Sequence, residues 1–398
     1  MIKNRNAYAL CLFTALAAAS GLWSCTTDEP VVNLGIADNY RIARMQKLSL
    51  SPALTGEAYC WRVNGAVVSD SRDYIFVAAE EGVYDLSLEI IDPSAPCFFE
   101  FKVNVFHEEV EYSPYIATVL EYCPAPGQLV NEMPQYSPGD TYEDMCKKAQ
   151  DCISGTNGEL ITLGGFGGYV TFGFDHTVMN LPGADFRIWG NAFYGATDSD
   201  RKGGSAEPGI VMVSFDANCN GIPDDQWFEL AGSEHANPAT RRNYSITYSR
   251  PSDGHEAVRD GFLTDIHYIP WTDSDGASGF IAKNSFHEQD YFPAWVDGNT
   301  ISFTGTLLPP NGVDISGTGS NYILYSYDWG YADNHPNDCA DLNSFDISWA
   351  VDADGNRADL PGVDFIRVYT ALNQYCGWLG ESSTEISRAQ DLHIKDIY

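Results

Sequence analysis

Basic residues are scarce in this chain. It carries 22 Lys and Arg against 55 Asp and Glu, a formal net charge of −33 at pH 7. A surface so acidic repels phosphate backbones and anionic lipid headgroups, which excludes nucleic acid as a partner. The acids are dispersed and accompanied by 52 aromatic residues, so this is a folding composition and not a disordered one. Several catalytic signatures are also missing. There is no Cys-x-x-Cys, and the eight His show neither His-x-x-x-His nor His-Glu-x-x-His spacing, which argues against a zinc protease. No Gly-x-Ser-x-Gly elbow offers a nucleophilic serine. Gly164-Gly165-Phe166-Gly167-Gly168 leads into a strand pattern, so no helix N-terminus awaits a phosphate; close passage of backbones is its expected use. Paired carboxylates for glycosidic chemistry stay open, because 55 acids always offer pairs.

What is present starts at the N-terminus. Lys3 and Arg5 precede an apolar run from Ala7 to about Ala19, followed by Leu22-Trp23-Ser24-Cys25. This reads as a secretory signal, residues 1–24, ending in a lipobox with Cys25 as the lipidated residue. An ordinary signal peptide with an incidental cysteine is the plainer alternative. The run is too short to span a bilayer as a mature helix, so membrane attachment is expected through the acyl anchor alone. Thr26-Thr27-Asp28-Glu29-Pro30 resembles the surface-export signal of Bacteroidota lipoproteins, which implies an outer-membrane, cell-surface location with residues 25–33 as a tether.

The 374 residues after the signal are too many for one small core, so two domains are expected. Both read as all-β. In residues 34–107, Phe99, Phe101, Val103 and Val105 alternate with polar partners, as do Tyr84, Leu86, Leu88 and Ile90. Asn64-Gly65 marks a hairpin. Residues 108–159 read as a Pro-rich crossing and one helix to about Cys152, capped by Asp140 or Thr141. Residues 160–398 hold many short strands separated by Gly, Pro, Asn and Asp, the pattern of a larger jelly-roll-like sandwich. Leu181-Pro182-Gly183-Ala184-Asp185-Phe186 recurs as Leu360-Pro361-Gly362-Val363-Asp364-Phe365, read as two equivalent entries into one core. Among the eight cysteines after Cys25, Cys60–Cys97 is the first expected disulfide and Cys146–Cys152 the second.

Two groups of residues carry candidate chemistry. Asp216-Ala217-Asn218-Cys219-Asn220-Gly221-Ile222-Pro223-Asp224-Asp225 places oxygen ligands at alternating positions with Gly at the sharp turn, as a Ca²⁺ loop does. Asp216, Asn218, Asn220, the carbonyl of Ile222, Asp224 and Asp225 are the expected ligands, and a structural Ca²⁺ the expected cofactor. The twelfth position holds Trp227 instead of a bidentate Glu, so a plain Asx-turn loop is the competing reading. Trp271, Tyr291, Trp295, Trp329, Tyr331 and Trp378 lie amid Gly, Pro, Asp and Asn, and some of them are expected to line a ligand site as stacking platforms.

Tyr59-Cys60-Trp61-Arg62-Val63-Asn64-Gly65 with Glu81-Gly82-Val83-Tyr84 resembles PKD-type immunoglobulin-like modules, which implies a spacer. Gly164–Val170, Ala184-Asp185-Phe186-Arg187-Ile188-Trp189-Gly190-Asn191-Ala192-Phe193 and Glu207-Pro208-Gly209-Ile210-Val211-Met212-Val213 look like a family of Bacteroidota surface lipoproteins named only "cell surface protein". Trp227–Glu234 and Trp378–Glu385 extend the match over about 110–393. The motif order is also similar to jelly rolls related to galactose-binding domains. The resemblance implies a non-enzymatic surface lipoprotein that holds a small-molecule nutrient, cobalamin first, for an outer-membrane transporter. Glycan binding, or a surface glycoside hydrolase or esterase, is the alternative.

Overall fold

The computed structural model describes residues 34–92, 96–195 and 202–394. Cys25 and the signal segment lie outside them. The chain divides into two compact units, 1–111 and 112–398. Among the described residues both are built of strands, with one α-helix in the second, so the fold is an all-β sandwich type.

The first unit follows its alternation. Cys97–Phe106 buries every second residue, with Phe99, Phe101, Val103 and Val105 inside. It pairs with Gly82–Ile91, and a five-stranded sheet runs in the order Asn39–Ala43, Cys97–Phe106, Gly82–Ile91, Ala58–Val63, Ala66–Ser69. Asn39–Ala43 joins in parallel and the rest antiparallel. Asn64 and Gly65 turn the hairpin with φ of 49° and 85°, the left-handed pair a tight hairpin requires. Trp61 is fully buried, and its indole N–H donates to the Ser71 carbonyl at 2.9 Å, so the large ring enters the core with no orphaned donor.

The second unit begins earlier than the strand pattern implied. Thr118–Cys123, inside the stretch read as a crossing, is an edge strand of a six-stranded antiparallel sheet. The order is Ala350–Val351, Trp227–Leu230, Gly209–Ser214, Gly362–Thr370, Tyr169–Met179, Thr118–Cys123. The helix, Tyr142–Ile153, packs Met145, Cys146, Ala149 and Ile153 into the same core, so from residue 112 the stretch read as a crossing is part of this unit and not a connector. Thr141 caps it: its side chain accepts from Asp144 N–H while the Asp144 carboxylate accepts from Thr141 N–H. A four-stranded antiparallel sheet, Ser278–Asn284, Leu263–Asp273, Arg241–Ser249 and Thr300–Leu307, covers a separate aromatic core around Phe166, Tyr248 and Phe303. Close backbone passage explains the glycine run, for a Cβ on Gly164 would lie 1.9 Å from the Ala125 carbonyl oxygen.

Three expectations are corrected. The two Leu-Pro-Gly segments do enter one core, which Phe186, Ile188, Val363 and Ile366 share, but the entries are not equivalent: Phe186 starts the centre strand of a three-stranded sheet, and Phe365 lies in the six-stranded one. What the echo shares is the role of its aspartates, since Asp185 accepts Leu181 and Ile347 N–H and Asp364 accepts Asp216 N–H, each pinning loops. Cys60 and Cys97 are free thiols. They stand across from Glu89 and Ile90, successive residues of one strand whose side chains point to opposite faces, so no disulfide can join them. Cys146 and Cys152 are free as well. Six positions apart on one helix, their backbones are about 9 Å apart along the axis, beyond the reach of a disulfide.

Candidate functional site

The six-stranded and four-stranded sheets of the second unit meet at a cleft of about 220 Å³. Trp227, Glu229 and Tyr369 reach it from the first sheet, Arg242, Asn243 and Thr304 from the second, and His235 from the connection between them. The sequence bends here for a local reason. Pairing of Arg241–Ser249 with Thr300–Leu307 slips between Arg241 and Tyr244, a bulge in which Arg242 and Asn243 stand against Thr306 alone. Asn243 sits at φ 55°, a left-handed conformation that Asn tolerates better than most residues. The bulge turns both side chains into the cleft.

The floor is tightly fitted. Gly305 lies against the Tyr369 ring, where a Cβ would meet the ring at 2.9 Å. The Tyr369 hydroxyl accepts Thr306 N–H at 2.9 Å, and burial pushes that phenol's pKa far up, so it stays a neutral hydroxyl. Trp227 is fixed from one side by Arg367, whose guanidinium carbon lies 4.2 Å from the ring centroid. Arg367 is itself tied to Glu121 at 2.6 Å and Thr171 at 2.9 Å.

The polar groups of the cleft are engaged with one another. Glu229 Oε2 accepts the Thr306 hydroxyl at 2.7 Å, and Glu229 Oε1 lies 3.1 Å from His235 Nδ1. Arg242 donates to His235 Nε2. Guanidinium has no acceptor, so Nε2 carries no proton and Nδ1–H donates to Glu229. The Thr304 hydroxyl pairs with Ser245 at 2.7 Å. Asp352, on the rim, accepts Asp354 and Asn356 N–H, and the Asn356 side-chain amide together with those N–H groups holds its carboxyl below the usual range.

None of the six aromatics picked out from the sequence lines this cleft. Tyr291 and Tyr331 are fully buried and belong to the cores, which corrects their reading as ligand contacts. Trp295 is half-buried and stacks on Tyr122 and Tyr136. Trp271 is half-buried in its strand, seated over Gly279. Trp329 and Trp378 are 39% and 52% exposed. Trp329 packs edge-on against Trp349, and Trp378 N–H donates to Asn321 at 3.3 Å, so each is held by a neighbour.

The Asp216 loop precedes Trp227 directly. Asp216 accepts Asn220 and Gly221 N–H, Asn218 accepts Asn220 N–H, and Asn220 accepts Ile222 N–H. The amides of Asn218 and Asn220 both reach the Asp224 carboxylate, at 3.0 to 3.2 Å. The Ile222 carbonyl takes Asp224 N–H, and Asp225 takes Ala217 N–H. Asp216, Asn218, Asn220 and Asp224 thus form one oxygen-rich knot, while Ile222 and Asp225 serve the loop's own backbone. Among the described residues, no group of three or more His, Cys, Asp or Glu is arranged to hold a metal. The knot draws on two carboxylates and two amides, oxygen donors of the type a hard cation accepts.

No family model matches the sequence, and no curated protein does. Among solved structures, one described as "Structural basis for the promiscuous specificity of the carbohydrate-binding modules from the beta-sandwich super family" is similar at 10% identity and TM-score 0.15, over 89% of this chain and 92% of that one. The "SusE-like protein BT2857" is similar at 10% identity and TM-score 0.24, over 88% and 95%. Similarities at this level carry no weight for function.

Proposed function

We propose that this chain is an exported, lipid-anchored surface protein whose second unit binds a carbohydrate in the Trp227 cleft and presents it to an outer-membrane transporter. The observation that carries the reading is the pairing of a fixed aromatic ring with aimed polar groups. A sugar ring has an apolar face for Trp227 and a rim of hydroxyls for Arg242, Asn243 and Thr304. A cleft of about 220 Å³ suits one sugar unit. It favours a sugar over cobalamin, which is larger than the ligands of ordinary 300–1,000 Å³ sites.

The engagement of Glu229, His235 and Thr306 with one another supports holding over cutting: both ring nitrogens of His235 and both oxygens of Glu229 are occupied. One observation favours a second reading, glycoside hydrolysis, because Glu229 and Asp352 line the same cleft. Incubating purified protein with a glycan panel separates the two. Binding without release of reducing ends supports capture, and turnover abolished by Glu229→Gln supports hydrolysis.

We also propose that the Asp216 knot takes up Ca²⁺ as a brace. Its support is the set of Asx turns that already orders Asp216, Asn218 and Asn220, directly before the strand that carries Trp227.

A further inference from the structure

The Phe186–Trp189 strand lies at the centre of a three-stranded sheet, between Ser344–Phe345 and Arg388–Asp391. Its register sets Trp189 opposite Arg388 and Arg187 opposite Gln390. Arg187, Trp189 and Arg388 therefore share one face, while Phe186, Ile188 and Ala389 turn to the buried core on the other. On the shared face, the Arg187 guanidinium carbon lies 4.2 Å from the Trp189 ring centroid and that of Arg388 lies 5.1 Å from it. Arg388 is also 5.8 Å from the Tyr115 ring. Two like charges converge on a single indole.

Their surroundings do not neutralise them. Acids outnumber bases 55 to 22 in this chain, yet neither guanidinium forms an ion pair among the described residues. The acid that acts on Arg187 is Asp341, at a distance beyond contact. The Nε–H groups of both arginines are buried with no acceptor, and Arg187 gives one terminal N–H to the Asn337 carbonyl. Burial, and then the neighbouring Arg388, press Arg187 toward losing its charge. Buried donors without acceptors are costly, and two facing cations add repulsion. An oxyanion at the terminal N–H groups relieves the repulsion, since its oxygens match the planar guanidinium edge.

We propose that Arg187 and Arg388, held over Trp189, form a second binding surface that takes the oxyanion of an acidic carbohydrate, a carboxylate or a sulfate ester. This rests on the carbohydrate reading of the unit, but on different residues from the cleft.

The test uses the mature full-length chain and isothermal titration with four probes: oligogalacturonate, heparin oligosaccharide, a neutral glycan that binds the cleft, and inorganic sulfate. Binding of either acidic oligosaccharide by wild type is expected, with the galacturonate and heparin arms telling carboxylate from sulfate. Arg187→Gln/Arg388→Gln should weaken that binding by tenfold or more and leave the neutral glycan unchanged. Arg187→Lys/Arg388→Lys, which keeps the charge and loses the fork, should fall between and serves if the Gln pair does not fold. Equal acidic binding in wild type and in the foldable variant overturns the inference. So does the absence of acidic binding, or binding of inorganic sulfate alone as an adventitious ion. Acidic binding lost in Trp227→Ala but kept in the arginine variants also overturns it, placing the acid in the cleft while the cleft reading survives.

Discussion

Glu229 and His235 face each other at 3.1 Å across the cleft wall, and Arg242 closes the other side of the imidazole. The chain of three fixes the His tautomer and aims the guanidinium. Replacing the middle member should therefore act through Arg242. His235→Ala is expected to weaken carbohydrate binding several-fold, because Arg242 loses its acceptor and its order. His235→Gln, which can still accept from Arg242, should retain more. Titration of the same glycan into both variants checks this, and equal losses would point to simple collapse of the wall.

The cleft floor gives a steric prediction. Gly305→Ala puts a methyl group where the Tyr369 ring now lies, with contacts of 2.9 to 3.0 Å. The ring must shift, and its hydrogen bond to Thr306 N–H shifts with it. Binding should fall while the unit stays folded, at a stability cost on the order of 1–3 kcal/mol. Thermal unfolding alongside titration separates the two effects.

Acidity should stabilise the second unit. Burial pushes the Glu381 carboxyl up to about 8 and that of Glu385 to about 7, and it raises Glu207. Burial and the neighbouring Glu385 carboxylate raise Asp333 as well, against the three backbone N–H groups it accepts. An unfolded Glu titrates near 4.3, so between about pH 4.3 and 8 the folded state binds more protons and stability falls as pH rises. His176 adds the same sign. Burial opposes its protonation, but Asp391 and Asp175 on its two nitrogens outweigh that and raise its pKa. The melting temperature should be several degrees higher at pH 5.5 than at pH 8.5, at about 2–4 °C per kcal/mol. Glu381→Gln/Glu385→Gln should flatten the difference. A melting temperature that rises across this range would refute the assignment.

Metal removal tests the Asp216 knot. If Ca²⁺ braces it, a hundredfold excess over the dissociation constant adds about 2.7 kcal/mol, and EDTA should lower the melting temperature correspondingly. Asp216→Asn should abolish the response. A chelator without effect leaves the knot as an Asx-turn loop.

Peptide mapping without reduction should find Cys60 and Cys97 unjoined, since they face opposite sides of their sheet. A linked pair would require a different register there.

Much of the architecture was legible because it rests on local rules. The alternation of Phe99, Phe101 and Val103 fixed a half-buried strand, Asn64-Gly65 a turn, and Thr141 with Asp144 a helix start. Tyr291 and Tyr331 misled because polar neighbours suggested exposed loops. Both are buried with their hydroxyls accepting backbone N–H groups, from Asn284 and Glu234, so the polar tips are satisfied inside the protein. The cleft could not be read in advance. Trp227, Arg242, Thr304 and Tyr369 meet only because two sheets pack together, and no spacing in the chain records that packing. The nearest local signal was Trp227-Phe228-Glu229, directly behind the Asp216 loop.

The most direct test of the account is titration of a neutral glycan panel into the wild-type chain and into Trp227→Ala. The account predicts saturable binding of at least one glycan, without hydrolysis, weakened tenfold or more in the variant, which is about 1.4 kcal/mol or greater. Binding of no glycan, or binding that Trp227→Ala leaves intact, would contradict it.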